Sequence, residues 1–205
     1  MYGLILTTVV ITLSGAMAPG PITAAALAAG SRSRHAGAVI GLGHIAVELP
    51  LLALLLAGLA PFLQSAAVQS VIGLAGGLFL VLMGAMLLTS ARKAQPCSGA
   101  AVERHPFWTG VVLSGANPYF LVWWATVGLS LASQAMTSGM LALGLFALIH
   151  WLCDLGWLEM LSLAGFKGSE RFGGRSRQVL AGACAAALIG FGMKFAWDAA
   201  MSLGE

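Results

Sequence analysis

Long apolar stretches constrain this chain more than any other feature of its sequence. A helix needs about 20 mostly apolar residues to cross the roughly 30 Å hydrocarbon core of a bilayer, since each residue rises about 1.5 Å. Of the 205 residues, 59% are hydrophobic and only 8% are charged, so lipid is the expected solvent. We predict an all-α integral membrane protein with six transmembrane helices in a single membrane domain, residues 1–205. The predicted spans lie near 4–29, 37–60, 66–89, 108–132, 138–164 and 178–202.

Basic residues occur in alternate predicted loops. The first, third and fifth loops hold nine of the ten Lys and Arg residues, and the second and fourth hold none. Because basic residues near span ends are retained in the cytoplasm, the odd loops should face inward and both termini outward across the cytoplasmic membrane. These loops also account for the net charge of +3 and would lie against anionic headgroups, so no nucleic-acid partner is indicated. Lys194, inside the last span, is the one exception.

Short motifs recur at matching places in the two halves of the chain. Ser-Gly-Ala at residues 14–16 is repeated at 114–116. Each copy precedes a helix breaker, which is Pro19-Gly20-Pro21 in the first half and Asn117-Pro118 in the second. The halves, about 1–90 and 107–205, are joined by a predicted cytoplasmic loop at 90–107. Three helices per half would make them inverted repeats, as in secondary transporters.

The two breaks are candidate substrate-binding elements. A half-helix restarting at Pro21 would direct free N–H groups and a positive dipole end into the protein, where they suit a carboxylate. Freed backbone at this depth is tolerated only when it is buried in protein or lines a water-filled cavity. We therefore assign substrate binding to Pro19, Gly20, Pro21, Asn117 and Pro118, against the simpler alternative of an ordinary proline kink.

A His lies four residues before an acid in the second helix of each half. These pairs are His44 with Glu48 and His150 with Asp154. A charged group near the bilayer centre costs at least about 2.5–3.5 kcal/mol, so such residues normally pair, face water or carry protons. We predict that the four side chains couple transport to protons or, alternatively, bind a metal. A purely structural role in joining helices is the remaining alternative.

Together these features resemble the lysine-exporter (LysE-type) family. The resemblance rests on the Pro-Gly-Pro break, the small-residue loop at 30–37, the acid in helix two and the Asn-Pro pair, and it covers essentially the whole chain. It implies inner-membrane exporters of amino acids or related small solutes in bacteria and archaea, driven by the proton gradient and often homodimeric. We expect a secondary transporter with no enzymatic activity and no cofactor, whose partners are a small-molecule substrate and the bilayer.

Two other functions compete with amino-acid export. Imidazole and carboxylate at one-turn spacing on two helices are plausible ligands for a divalent metal ion, so the chain could export Zn or Mn. Acid–base pairs also serve intramembrane enzymes, but no nucleophile arrangement accompanies them here. Paired helix breaks favour alternating access over a channel or a structural protein.

Overall fold

The computed structural model describes residues 2–17, 20–63, 65–92 and 105–202, and within these ranges the regular structure is helical. The helices are α1 (Tyr2–Ala16), α2 (Pro21–Gly30), α3 (Ala36–Leu54), α4 (Ala60–Leu63), α5 (Ala66–Arg92), α6 (Pro106–Gly115), α7 (Pro118–Trp123), α8 (Leu129–Thr137) and α9 (Met140–Ser202). Two π-helical turns, Leu55–Leu59 and Trp124–Gly128, follow α3 and α7.

The first predicted span is broken, as the Pro-Gly-Pro sequence indicates. Helix α1 ends at Ala16, α2 begins at Pro21, and the two axes are bent by 78°. Gly20 caps α2 in an extended conformation, and Pro21 occupies a first-turn position, where a missing N–H is harmless. Pro19 lies outside the described residues.

A second break interrupts the span predicted at 108–132. Helix α6 ends at Gly115 and α7 begins at Pro118, with Asn117 extended between them. The Asn117 side-chain oxygen accepts a hydrogen bond from the backbone N–H of Tyr119 at 3.1 Å, which caps α7. The predicted helix breaker therefore starts a new helix, and two helical segments, Pro106–Gly115 and residues 118–137, replace the single span.

Within the described residues, four helices are long and apolar enough to cross a membrane, and the bent pair α1 and α2 makes a fifth. The four are Ala36–Leu59, Ala67–Thr89, Met140–Ser169 and Ala181–Met201. Between residues 106 and 137 the helix is interrupted at Ala116 and Asn117, and no candidate span is found in this stretch. The chain is thus a multi-pass, all-helical membrane protein.

The last two of these stretches belong to α9, and they agree with the spans predicted at 138–164 and 178–202. A straight helix of 63 residues would be about 95 Å long. Helix α2 is only about 15 Å long, yet Gly30 lies against Ser162 while Ala28 shares a buried cluster with Cys184. The two stretches therefore lie side by side. Helix α5 ends at Arg92, just inside the loop predicted at 90–107. Residues 93–104 of that loop lie outside the described part of the chain.

Helices α3 and α6 cross at unusually close range through a pair of glycines. A methyl group on Gly43 would overlap the carbonyl oxygen of Phe107, and one on Gly110 would overlap that of Ile40. Such small residues let helix backbones approach where lipid supplies no hydrophobic drive for association. The crossing holds the second helix of the first half against α6, which positions His44 beside Ser114.

Candidate functional site

The helices enclose a cavity of about 550 Å³. Its deep part is lined by buried residues such as Glu48 and Trp124, each 1% exposed. At the other end it is lined by Lys194 and Asp198, whose side chains are 64% and 54% exposed. The cavity thus runs from the protein interior to a mouth at these two residues. Aromatic side chains provide much of its wall: Tyr119, Phe120, Trp123, Trp124, Trp157, Phe191 and Phe195.

The four polar residues of the two His–acid pairs meet in the deep part of this cavity. His44 Nε2 lies 3.2 Å from Glu48 Oε1 and 3.7 Å from Asp154 Oδ2. His150 Nε2 lies 3.0 Å from the same Glu48 oxygen and 3.2 Å from the same Asp154 oxygen. Imidazole and carboxylate groups therefore alternate around a closed ring, which we call the His–carboxylate ring. Helices α3 and α9 each contribute one pair.

The outer nitrogen of each imidazole is held by a hydroxyl from another helix. His44 Nδ1 lies 2.7 Å from Ser114 Oγ, and His150 Nδ1 lies 2.8 Å from Thr12 Oγ1. Ser114 donates its proton to the carbonyl of Gly110, so His44 must donate its Nδ1 hydrogen to Ser114. In the neutral imidazole the Nε2 lone pair then points into the ring. A proton placed there is shared with the carboxylates.

Glu48 is held by one donor outside the ring and keeps one free oxygen. Trp124 Nε1 donates to Glu48 Oε1 at 2.8 Å, in addition to the contact from His150. Among the described residues, Glu48 Oε2 is buried without a hydrogen-bond partner, and Asp154 Oδ2 is buried with its contacts to the two imidazoles of the ring. Because an unpartnered buried carboxylate oxygen is costly, Glu48 Oε2 is suited to bind a proton or a cation.

The ring also satisfies the basic geometry of a metal site. His44, Glu48 and Asp154 offer three ligand atoms within 4.8 Å of one another. His150 lies within 3.2 Å of both carboxylates and could supply a fourth. Metal-bound histidines are commonly oriented by a hydrogen bond to the ring nitrogen that does not bind the metal, and the hydroxyl contacts of His44 and His150 are of this kind.

The helix breaks lie on the wall of the same cavity. Gly20 and Pro21 line it beside the first turn of α2, and Asn117 and Pro118 line it beside α7. Thr23 Oγ1 and Trp157 Nε1 belong to further lining residues and lack hydrogen-bond partners among the described residues. The predicted substrate-binding residues that the structure describes thus face the same space as the ring.

The end of the bundle beyond the ring is closed by contacts between α9 and the loop that joins α2 to α3. Glu159 accepts hydrogen bonds from the backbone N–H of Ala38 at 3.0 Å and from His35 at 2.5 Å. Ser162 donates to the carbonyl of Arg34, and Ser169 donates to that of Ser31. Glu159 therefore caps α3 and does not line the cavity. We call these contacts the sealed end.

We expect Glu159→Gln to lower the unfolding free energy by about 1 kcal/mol, because the partly exposed ion pair with His35 is lost while an acceptor for Ala38 remains. Thermal unfolding of the purified protein in detergent would measure the change. In a double-mutant cycle, His35→Gln should add almost nothing to the loss. Fully additive losses would contradict the pairing.

A profile of the LysE type translocator family matches residues 13–199, which include every residue of the ring and both helix breaks. The chain belongs to the LysE type translocator family. This confirms the family resemblance read from the Pro-Gly-Pro and Asn-Pro motifs, and it identifies the chain as a translocator and not an enzyme. Comparison with curated proteins and with solved structures found no match.

Several residues around the ring of this LysE-type protein were not singled out as site residues by sequence patterns. Thr12 and Ser114 each lie a few residues before a helix break, and a polar residue at that place was an available signal. The aromatic pair containing Trp124 was conspicuous, yet its role as the donor to Glu48 depends on how α3 packs against the π-helical turn.

Proposed function

We propose that this LysE-type protein is a secondary exporter of an amino acid or a related small solute, driven by protons entering in exchange. In this proposal the chain spans the cytoplasmic membrane six times as two inverted three-helix repeats, with both termini outside. The observation that carries it is the His–carboxylate ring at the deep end of a cavity lined by two broken helices.

The inverted repeat is supported by contacts that cross between the halves. Thr12 in the first helix of one half contacts His150 in the second helix of the other. Ser114 in the first helix of the second half contacts His44 in the second helix of the first. Two repeats related by an approximate two-fold axis would produce this reciprocal pattern.

The ring supplies a place for the coupling proton. His44 Nε2 lies 3.2 Å from Glu48 Oε1 and 3.7 Å from Asp154 Oδ2, so a proton on that nitrogen can be shared with either carboxylate. A protonated ring carries less negative charge and so holds a cationic solute group more weakly. Proton binding and solute binding can therefore compete at one site, which is the basic requirement of exchange.

The two ends of the cavity differ as alternating access requires. At the sealed end, Glu159 and Ser162 of α9 contact the α2–α3 loop and the start of α3, which are predicted to face the cytoplasm. The mouth of the cavity, at Lys194 and Asp198, is near the predicted outer end of the last span. This corresponds to an outward-facing state. Inward opening would separate α9 from the α2–α3 loop.

The cavity has room and polarity for an amino acid. Its volume of about 550 Å³ falls within the usual range for small-molecule sites. The first turn of α2, which begins at Pro21, supplies positive dipole potential for a carboxylate, and the acids of the ring supply negative charge for an ammonium group. Both line the same cavity.

Export of a divalent metal ion is the second candidate, favoured by the three ligand atoms of His44, Glu48 and Asp154 that lie close together. A metal substrate would require ionised acids and neutral imidazoles throughout the cycle. The largely aromatic cavity wall favours an organic solute, since a metal ion gains little from apolar surroundings.

Solute and proton flux in proteoliposomes would test the proposal. Vesicles containing a labelled amino acid should release it faster when the external pH is lowered, and their internal pH should fall at the same time. For one-to-one exchange, a difference of one pH unit sustains a solute ratio of up to about tenfold. Movement of Mn²⁺ or Zn²⁺ alone would establish the metal alternative, and movement of neither class would reject both.

A further inference from the structure

Lys194 is an ionisable residue of the last span that the proton ring does not use. Its Nζ contacts Asp198 Oδ2 at 2.5 Å, one turn along α9. Both side chains line the cavity, and both are more than half exposed. Of the described residues that line the cavity, Lys194 is the one with a permanent positive charge.

The helix face that carries Lys194 is turned toward the cavity and away from lipid. Phe191, Lys194, Phe195 and Asp198 all line the cavity, at the i, i+3, i+4 and i+7 spacing of a single helix face. A different face carries Met193, Trp197 and Met201, which are 58%, 68% and 58% exposed and suit contact with acyl chains. The charged pair is therefore in the water-accessible mouth.

The pair itself is suited to open. Within a helix, a basic residue preceding an acid by four positions is the less favourable order for an ion pair, because both charges then oppose the helix dipole. Exposure to water weakens the attraction further. A molecule that brings one charge for each partner can consequently replace the internal contact.

We propose that Lys194 and Asp198 form a recognition site for a zwitterion at the mouth of the cavity, with Lys194 binding the carboxylate and Asp198 the ammonium group. Phe191 and Phe195, with ring centroids 6.3 Å apart, flank the pair and receive an apolar side chain. This inference rests on the proposed export of amino-acid-like solutes. In an exporter, the site would hold the solute last, before its release.

Three related probes separate the two charges of the zwitterion: phenylalanine, phenethylamine, which lacks the carboxylate, and 3-phenylpropionate, which lacks the ammonium group. Binding of each to the full-length protein in lipid nanodiscs can be measured by calorimetry. We expect Lys194→Gln to weaken phenylalanine and 3-phenylpropionate about tenfold, since a charge-assisted contact is lost, and to leave phenethylamine within about twofold. Asp198→Asn should weaken phenylalanine and phenethylamine instead.

Lys167→Gln is the matched control, because Lys167 is an exposed lysine of the same helix that does not line the cavity. It should leave all three affinities unchanged. If Lys194→Gln and Asp198→Asn lower thermal stability equally but alter no affinity, the pair only stabilises α9 and the inference is wrong. Wild-type protein that transports other amino acids but binds none of the probes would also overturn it. Wild-type protein that transports no amino acid would reject the proposed function itself.

Discussion

Replacing Glu48 with glutamine is expected to abolish proton-driven export while preserving exchange of solute between the two sides. The amide oxygen of glutamine can still accept from Trp124 Nε1 and His150 Nε2, so the ring keeps its shape. It cannot take up and release a proton, however, so solute movement no longer carries one. Proton-driven flux in proteoliposomes should fall to the level of protein-free vesicles.

The matched control for this change is Glu159→Gln, which makes the same substitution at the sealed end. Glu159 contacts His35 and the backbone of Ala38 and does not line the cavity, so coupling should survive there despite a small loss of stability. Solute exchange by the Glu48 variant should remain near the wild-type rate. Retention of proton-driven flux in that variant would remove Glu48 from the coupling step and leave Asp154 as the candidate acid.

Alanine at Gly43 or Gly110 is expected to destabilise the protein by about 3 kcal/mol, at the upper end of the usual range for overpacking. In either case the new methyl group would overlap a backbone carbonyl of the facing helix, and backbone cannot move aside as a flexible side chain can. Helices α3 and α6 would have to separate, which would also pull His44 away from Ser114. Thermal unfolding in detergent would report the loss, and solute flux should fall with it.

Two other helical glycines give the control for this prediction. A methyl group at Gly144 or Gly156 would meet nothing within 4 Å. Since alanine is favoured over glycine inside a helix by up to about 1 kcal/mol, both variants should be as stable as the wild type or slightly more stable. Equal losses at all four positions would mean that the α3–α6 crossing is not specially tight.

The sequence alone determined that this protein lies in lipid, that its helices are interrupted before Pro21 and Pro118, and which polar groups lie within the apolar stretches. Long apolar stretches with few charges require lipid, because twenty such residues cannot all be hidden in a small soluble domain. Proline fixes its own backbone angle and lacks an N–H, so the interruptions before Pro21 and Pro118 are local consequences of the sequence. The His–acid pairs were conspicuous because charge is rare within such stretches.

Local sequence patterns gave less information about whether a helix runs without interruption through an apolar stretch. The stretch 108–132 was predicted as one span, but its helix is interrupted at Ala116 and Asn117. Hydropathy measures the preference of side chains for lipid and does not register where backbone hydrogen bonding continues.

Only the tertiary structure decided which polar groups meet. Thr12 and His150 are separated by 138 residues, and Trp124 and Glu48 by 76, so no local periodicity relates them. The direction in which Lys194 faces depends likewise on how the end of α9 packs beside the cavity. The sequence could place a charge within a span. Its partner depends on the close packing of helices distant in the chain, because a buried polar group is satisfied by whatever that packing brings within hydrogen-bonding distance.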